Sequence, residues 1–304
     1  HANMSAMDAQ AAPLMRPLAD RFGLSCATIT PLARDGGVDD ARLVAHLERC
    51  LADGCSSFTL FGTTGEGASI GRRERERAIH AVLAKLDPGL ALIGVMANAP
   101  EDAAEQAHPV LDAGGRGVLL APPSYFKGVS DDGLYDWFSR AIDAMRRPRG
   151  VLLYHIPSVT AVPLSCALVG RLKHAFPGII VGVKDSSGDW PYTQALLAAH
   201  PDLHVLVGDE RLLARAIRHG GSGAINGFSN FCAPRLRPLI ERGDEDPALS
   251  AFVDLLLRYP VTPAIKALVA HVRGDPGFLR AAPPLRDLPA GDARALADAY
   301  ARLG

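Results

Sequence analysis

Apolar and polar positions along the chain alternate between two patterns. Short apolar, β-branched runs at 24–30, 56–61, 90–96, 117–121, 150–154, 179–184, 203–207 and 222–226 read as strands. Between them apolar residues recur at helical spacing; within 73–86, Ala78, Ile79, Val82, Leu83 and Leu86 mark one face. The strand starts lie roughly 28 residues apart, a length that suits one strand-plus-helix unit. From about Asp244 the strand pattern stops, and 248–259, 263–272 and 292–303 read as helices broken by Pro/Gly turns at 273–277 and 282–284.

Eight such units predict an α/β fold, a (β/α)8 TIM barrel over 18–243, with 244–304 as C-terminal helices packed on it. A doubly wound open sheet would carry a Gly-rich nucleotide loop after its first strand, and Thr30-Pro31-Leu32 is not one. Residues 1–10, which begin His1-Ala2-Asn3 ahead of Met4, read as a disordered expression remnant; no apolar core follows that would suit a signal peptide.

Composition narrows the class. In 304 residues, 48% are apolar and 21% charged, enough apolar material for a sizeable core. Lys+Arg and Asp+Glu number 32 and 33, so no nucleic-acid or anionic-membrane partner is expected. The Arg72–Arg77 stretch alternates with Glu74 and Glu76 and reads as a solvated helix face. Five scattered cysteines (Cys26, Cys50, Cys55, Cys166, Cys232) read as buried, reduced thiols of a cytoplasmic protein.

In a (β/α)8 barrel the chemistry sits at the C-terminal ends of the strands. Those positions hold Gly62-Thr63-Thr64-Gly65-Glu66-Gly67, Pro122–Phe126, Tyr154-His155-Ile156-Pro157, Lys184-Asp185-Ser186-Ser187, Gly208-Asp209-Glu210 and Ile225-Asn226-Gly227. The chain uses 27 arginines but only five lysines, so a lysine at a strand end is conspicuous: arginine cannot become a neutral amine nucleophile. Strand alternation puts Lys184 on one face with Gly182 and Ile180. If that face is the barrel interior, Gly182 leaves room, and desolvation favours the neutral amine that attacks a carbonyl. The other reading is a lysine reaching out of the barrel mouth to a carboxylate such as Asp185. Tyr154, at similar height on the adjacent strand, is either a proton donor and acceptor beside an imine or an aromatic cap on the core. The 62–67 loop offers consecutive N–H groups and two hydroxyls that suit a carboxylate or phosphate. No zinc H-E-x-x-H or serine G-x-S-x-G motif occurs; His200 and His204 straddle Pro201, so no metal site is expected.

With these stretches in view, the sequence resembles the dihydrodipicolinate synthase / N-acetylneuraminate lyase family of class I aldolases. The matches are Gly62–Glu66, the Pro-Pro-x-Tyr at 122–125, Tyr154-x-x-Pro157, 182–189 and the turn at 221–225, in the family's order over about residues 20–240. The resemblance implies action on pyruvate and an aldehyde with no cofactor beyond a covalent imine on Lys184. It implies that Tyr154 moves protons and that Thr63 links it to Tyr125 in a relay. It places Gly62, Thr64, Gly208 and Ile225 around the substrate. Tyr125 would reach a neighbouring subunit's site in a homo-oligomer, a dimer or tetramer.

One departure bears on substrate. The family's synthases carry Y-N-x-P-x-R on strand five, whose arginine holds the carboxylate of aspartate semialdehyde. Here His155 and Val159 stand at the asparagine and arginine positions. Losing a charged hydrogen-bond partner weakens an anionic aldehyde by ~1.5–3 kcal/mol. The expected substrate is therefore a 2-keto-3-deoxy sugar acid or a related 2-oxo acid. The alternatives are dihydrodipicolinate synthase itself and a non-catalytic 2-oxo-acid-binding protein. For His155 two roles remain: facing an acceptor hydroxyl, or packing.

Overall fold

The computed structural model describes residues 15–304; the stretch 1–10 read as a remnant lies outside the described residues. Eight parallel strands close into a barrel in sequence order: β1 (Gly23–Ala27), β2 (Ser57–Leu60), β3 (Ala91–Val95), β4 (Gly117–Leu120), β5 (Val151–His155), β6 (Ile180–Asp185), β7 (His204–Val207) and β8 (Gly223–Asn226). Around it run α1 (Asp40–Ala52), α2 (Arg72–Leu83), α3 (Pro100–Asp112), α4 (Asp131–Ala144), the single turn α5 (Pro157–Thr160), α6 (Cys166–Ala175), α7 (Trp190–Ala199), α8 (Glu210–Arg218) and α9 (Ser229–Glu241). Then come α10 (Pro247–Leu256), α11 (Val261–Arg273) and α12 (Ala290–Ala301), the helices expected after the barrel. No single described helix is long and apolar enough to cross a membrane.

Two hydrophobic layers follow from strand alternation. Leu92, Leu119, Leu152, Leu206 and Ile225 fill the barrel interior with Tyr154, while the opposite strand faces pack against the helices. Polar side chains start several helices: Asp39, Ser130 and Ser165 accept from backbone N–H groups of α1, α4 and α6.

Three local expectations change. β1 stops at Ala27 rather than residue 30 because side chains take over its backbone groups: Ile29 N donates to Asn230 Oδ1 at 3.1 Å. In β6 the register slips by one at Val181, so Ile180 joins the outer layer, Val181 packs against the inner one, and of the two expected partners of Lys184 only Gly182 keeps its face. Gly182 is needed for close approach rather than for room around the amine; a Cβ there would lie 2.2 Å from the His204 carbonyl oxygen. The Arg72–Arg77 stretch is solvated except at Arg75, which is buried and donates to the Gly94 carbonyl at 2.8 Å and to Gln106 Oε1 at 3.1 Å.

Candidate active site

At the C-terminal mouth, β5 and β6 pair Tyr154 with Lys184, so both side chains leave adjacent strands at one height. Lys184 Nζ donates to Tyr154 Oη at 3.3 Å and lies 4.5 Å from the centre of its ring. Tyr154 Oη is also 3.1 Å from Thr63 Oγ1, so one phenol oxygen bridges an amine and a hydroxyl. The lysine is 6% exposed and the tyrosine 2%. Asp185 does not serve Lys184: its Oδ1 accepts from Ser187 N at 2.9 Å and Ser187 Oγ at 2.6 Å, and its Oδ2 from Thr193. The reading of Lys184 as a lysine reaching outward to Asp185 therefore fails, because the strand turns the two side chains to opposite faces.

A cavity of about 260 Å³ opens above Lys184, and Thr63, Thr64, Tyr154, Gly208 and Ile225 line it. Gly208 leaves the space, since a Cβ there would meet Ser186 Oγ at 2.3 Å and Lys184 Cε at 3.4 Å. Among the described residues the backbone N–H groups of Thr63 and Thr64, both of which line the cavity, have no acceptor, so two donors stay free beside it. Gly62 does not line this cavity; its carbonyl accepts from Gly67 N at 3.1 Å, and its Cα sits where a Cβ on Gly94 would come within 2.6 Å. Tyr125 also stands apart. It is 76% exposed and packs edge-on against Phe126, so within this chain the relay reaches only from Tyr154 to Thr63.

Two other clusters resemble sites and carry less. A cavity of about 460 Å³ outside the barrel holds Arg42 and Arg49, but Arg42 is already paired with Asp39 and Asp275. Cys26, His46 and Cys50 bring ligand-type atoms within 4.8 Å of one another. They surround Asn230, whose Oδ1 already accepts from His46 Nε2 at 2.9 Å and Cys26 Sγ at 3.2 Å. Burial pushes the Cys26 thiol up, away from the thiolate a metal would need. Cys166 departs from the expected buried set, being half-exposed.

A family model, the dihydrodipicolinate synthetase family, matches residues 21–291. The chain belongs to this family. It is accordingly a class I pyruvate-dependent lyase. Among curated relatives, a DapA-like lyase of Chloroflexus aurantiacus is 32% identical over 94% of this chain and 98% of its own length. A 4-hydroxy-tetrahydrodipicolinate synthase of Agrobacterium fabrum is 32% identical over 69% of this chain and 70% of its own. The solved dihydrodipicolinate synthase of Agrobacterium tumefaciens C58 superposes with a TM-score of 0.91 at 49% identity, covering 93% of this chain and 99% of that one.

Against the dihydrodipicolinate synthetase family's pattern, both strand-five departures now have a place. His155 points away from the cavity: its Nδ1 accepts from Leu164 N at 3.0 Å, and its ring stacks on Tyr192 at 4.0 Å. Burial lowers its pKa, with Asp185 and Asp189 opposing, so the neutral ring suits this packing role. Val159 does line the cavity, 63% exposed, beside Ser158.

Residues that sequence reasoning left unassigned complete the walls. Phe228, Val253, Leu256, Leu257, Val261, Thr262 and Ile265 come from the C-terminal half of the chain and roof the cavity. Their helical periodicity gave no sign that one end of α10 and α11 turns towards the barrel mouth. Glu210 was visible in the Gly-Asp-Glu at the end of β7 but unassigned. It is buried against the cavity, and Oε1 accepts from Phe228 N at 3.3 Å. Desolvation pushes its carboxyl up to about 8, with Asp209 adding and Phe228 N–H and the Lys184 charge opposing. Its neighbour Asp209 is held by Arg211, at 3.0 and 2.7 Å.

A raised folded-state pKa means that the folded chain holds the Glu210 proton more tightly than the unfolded chain. The stability this supplies is complete below the ordinary carboxylate range and is lost as pH rises through about 8. Glu210→Gln should therefore flatten the fall in melting temperature between pH 6 and pH 9. Parallel curves for the two proteins would show that Glu210 ionises normally.

Proposed function

We propose that the protein is a Schiff-base aldolase that interconverts a 2-oxo acid, of the 2-keto-3-deoxy sugar-acid kind, with pyruvate and an uncharged aldehyde. The observation that carries this reading is the buried Lys184 amine within 3.3 Å of a phenol oxygen that itself contacts Thr63. The Lys184 amine adds to the C2 ketone, and Tyr154 gives its phenol proton to the departing water, leaving a protonated imine and a phenolate. Tyr154 takes the proton of the C4 hydroxyl as the C3–C4 bond breaks; its electron pair moves into the imine, the aldehyde leaves and an enamine remains. Protonation at C3 and hydrolysis release pyruvate and restore the amine. The free N–H groups of Thr63 and Thr64 would hold the substrate carboxylate. Solved structures in the family include an Escherichia coli protein in complex with pyruvate, 25% identical over 92% of this chain and 98% of that one, with a TM-score of 0.78.

Support for an uncharged aldehyde comes from the cavity lining. Among the described residues Lys184 is its only cation, while Ser158, Ser186 and Thr262 offer hydroxyls and Glu210 a carboxyl. Val159→Arg should raise kcat/KM for aspartate semialdehyde at least tenfold and lower it for neutral aldehydes, since about 1.4 kcal/mol is one decade. Equal changes for both classes would remove Val159 from acceptor selection. A second reading, dihydrodipicolinate synthase, is favoured by the 49% identity to the Agrobacterium enzyme. A coupled assay with pyruvate and aspartate semialdehyde separates the two. The exposed Tyr125 and Phe126 side chains suit entry into a neighbouring subunit, in a dimer or tetramer.

Borohydride trapping with pyruvate, followed by peptide mass spectrometry, tests the mechanism. A reduced adduct on Lys184 is expected; an adduct on another lysine, or none on folded protein, would sink it.

A further inference from the structure

The loop after β2 bends through two left-handed residues that are not glycine, Phe61 at φ 54° and Glu66 at φ 56°. Such backbone costs free energy for residues with side chains and persists only where the surroundings hold it. Glycine would suit position 66 conformationally, so the glutamate side chain must supply the hold. That side chain is wholly buried and pairs with Lys266 of α11, itself wholly buried. Glu66 Oε1 also accepts from Ala282 N at 2.7 Å, and Lys266 Nζ donates to the Arg280 carbonyl at 2.6 Å. From the barrel side, Thr30 Oγ1 donates to the Gly65 carbonyl at 2.6 Å.

The clamped loop is the one that presents Thr63 and Thr64, and the turn closes when Glu66 N donates to the Thr63 carbonyl at 3.0 Å. The helix that clamps it also sends Thr262 and Ile265 to the cavity, within one turn of Lys266. A buried ion pair is a poor device for stability alone, because apolar side chains of similar volume often serve as well or better. One placed at a strained turn beside two free N–H donors has a use that apolar packing lacks: it fixes the direction in which those donors point.

We propose that Glu66 and Lys266 are positioning residues for the 2-oxo-acid carboxylate. Their buried ion pair holds the turn that aims the Thr63 and Thr64 N–H groups, and it makes the C-terminal helices a working part of the site. The inference rests on the Schiff-base reading above.

The test compares wild type, Glu66→Gln, Lys266→Met and the double variant in borohydride inactivation at increasing pyruvate, with melting temperature measured in parallel. Each single variant leaves one buried charge unpaired and should melt lower; the double variant, with none, should recover most of that loss. The half-saturating pyruvate concentration should nevertheless stay raised at least tenfold in the double variant, with the maximal trapping rate within about threefold of wild type. Recovery of half-saturation together with melting temperature would reduce the pair to a structural anchor and overturn the proposal. Should the double variant not fold, Glu66→Gln alone decides, since it keeps the acceptor for Ala282 N; wild-type half-saturation would overturn the proposal there too. Absence of a Lys184 adduct in wild type would instead count against the Schiff-base reading, so the two failures are separable.

Discussion

Lys184→Ala should abolish turnover, by a factor on the order of 10⁶, the scale on which removal of a covalent nucleophile acts. The amine is both nucleophile and electron sink in the proposed reaction, and no other lysine can replace it. Lys266, the other deeply buried lysine, is committed to Glu66 and to the Arg280 carbonyl. Lys85, Lys127 and Lys173 do not line the cavity. The variant should fold, because truncation removes a buried polar head whose one hydrogen bond is to Tyr154 Oη. Circular dichroism and the melting temperature establish folding; steady-state pyruvate release and borohydride trapping read the loss. A folded variant that keeps more than one per cent of wild-type activity would end the Schiff-base reading.

Tyr154→Phe should lower kcat by about 10²–10⁴-fold, the usual contribution of one positioned acid–base group. The substitution removes a single oxygen and leaves the ring among Leu152, Ile156 and Leu206 in the barrel interior. Only the bonds to Lys184 and Thr63 are lost, so the stability change should stay within about 1 kcal/mol. Imine formation does not require C3–C4 cleavage, so pyruvate trapping on Lys184 should persist, more slowly. A Phe variant that neither traps pyruvate nor turns over would mean that imine formation depends wholly on the phenol. Unchanged kcat would take Tyr154 out of the proton path.

What could be read in the chain, and what could not, follows from the range of the interactions involved. Strand and helix periodicity are properties of neighbouring residues, so the eight units, the barrel and the C-terminal helices were all present in the hydrophobic pattern. Strand ends are local as well, and in a parallel barrel all of them converge on one mouth. That is why Lys184, Tyr154, Thr63, Thr64, Gly208 and Ile225 could be named before their contacts were seen.

Tertiary structure decided everything that depends on distant segments meeting. The β6 slip at Val181 arises from pairing with β5, and no single-strand pattern shows it. Glu210 is buried beside the backbone of Phe228, and that burial is the main cause of its raised carboxyl pKa. For His155 the sequence left open facing an acceptor hydroxyl or packing, and alternation turns it outward onto Tyr192. Gly62 likewise follows a strand end, yet it accepts from Gly67 N within the loop and does not line the cavity. The link between Glu66 and Lys266 joins positions 200 residues apart, and in the sequence they are only an acid in a glycine-rich loop and a lysine in an apolar helix. The sequence by itself determined which residues stand at the barrel mouth, because that follows from the repeat of strand and helix. Only the folded chain decided which way each side chain faces, what desolvates it and which distant helix holds it, because those depend on contacts made after the barrel closes.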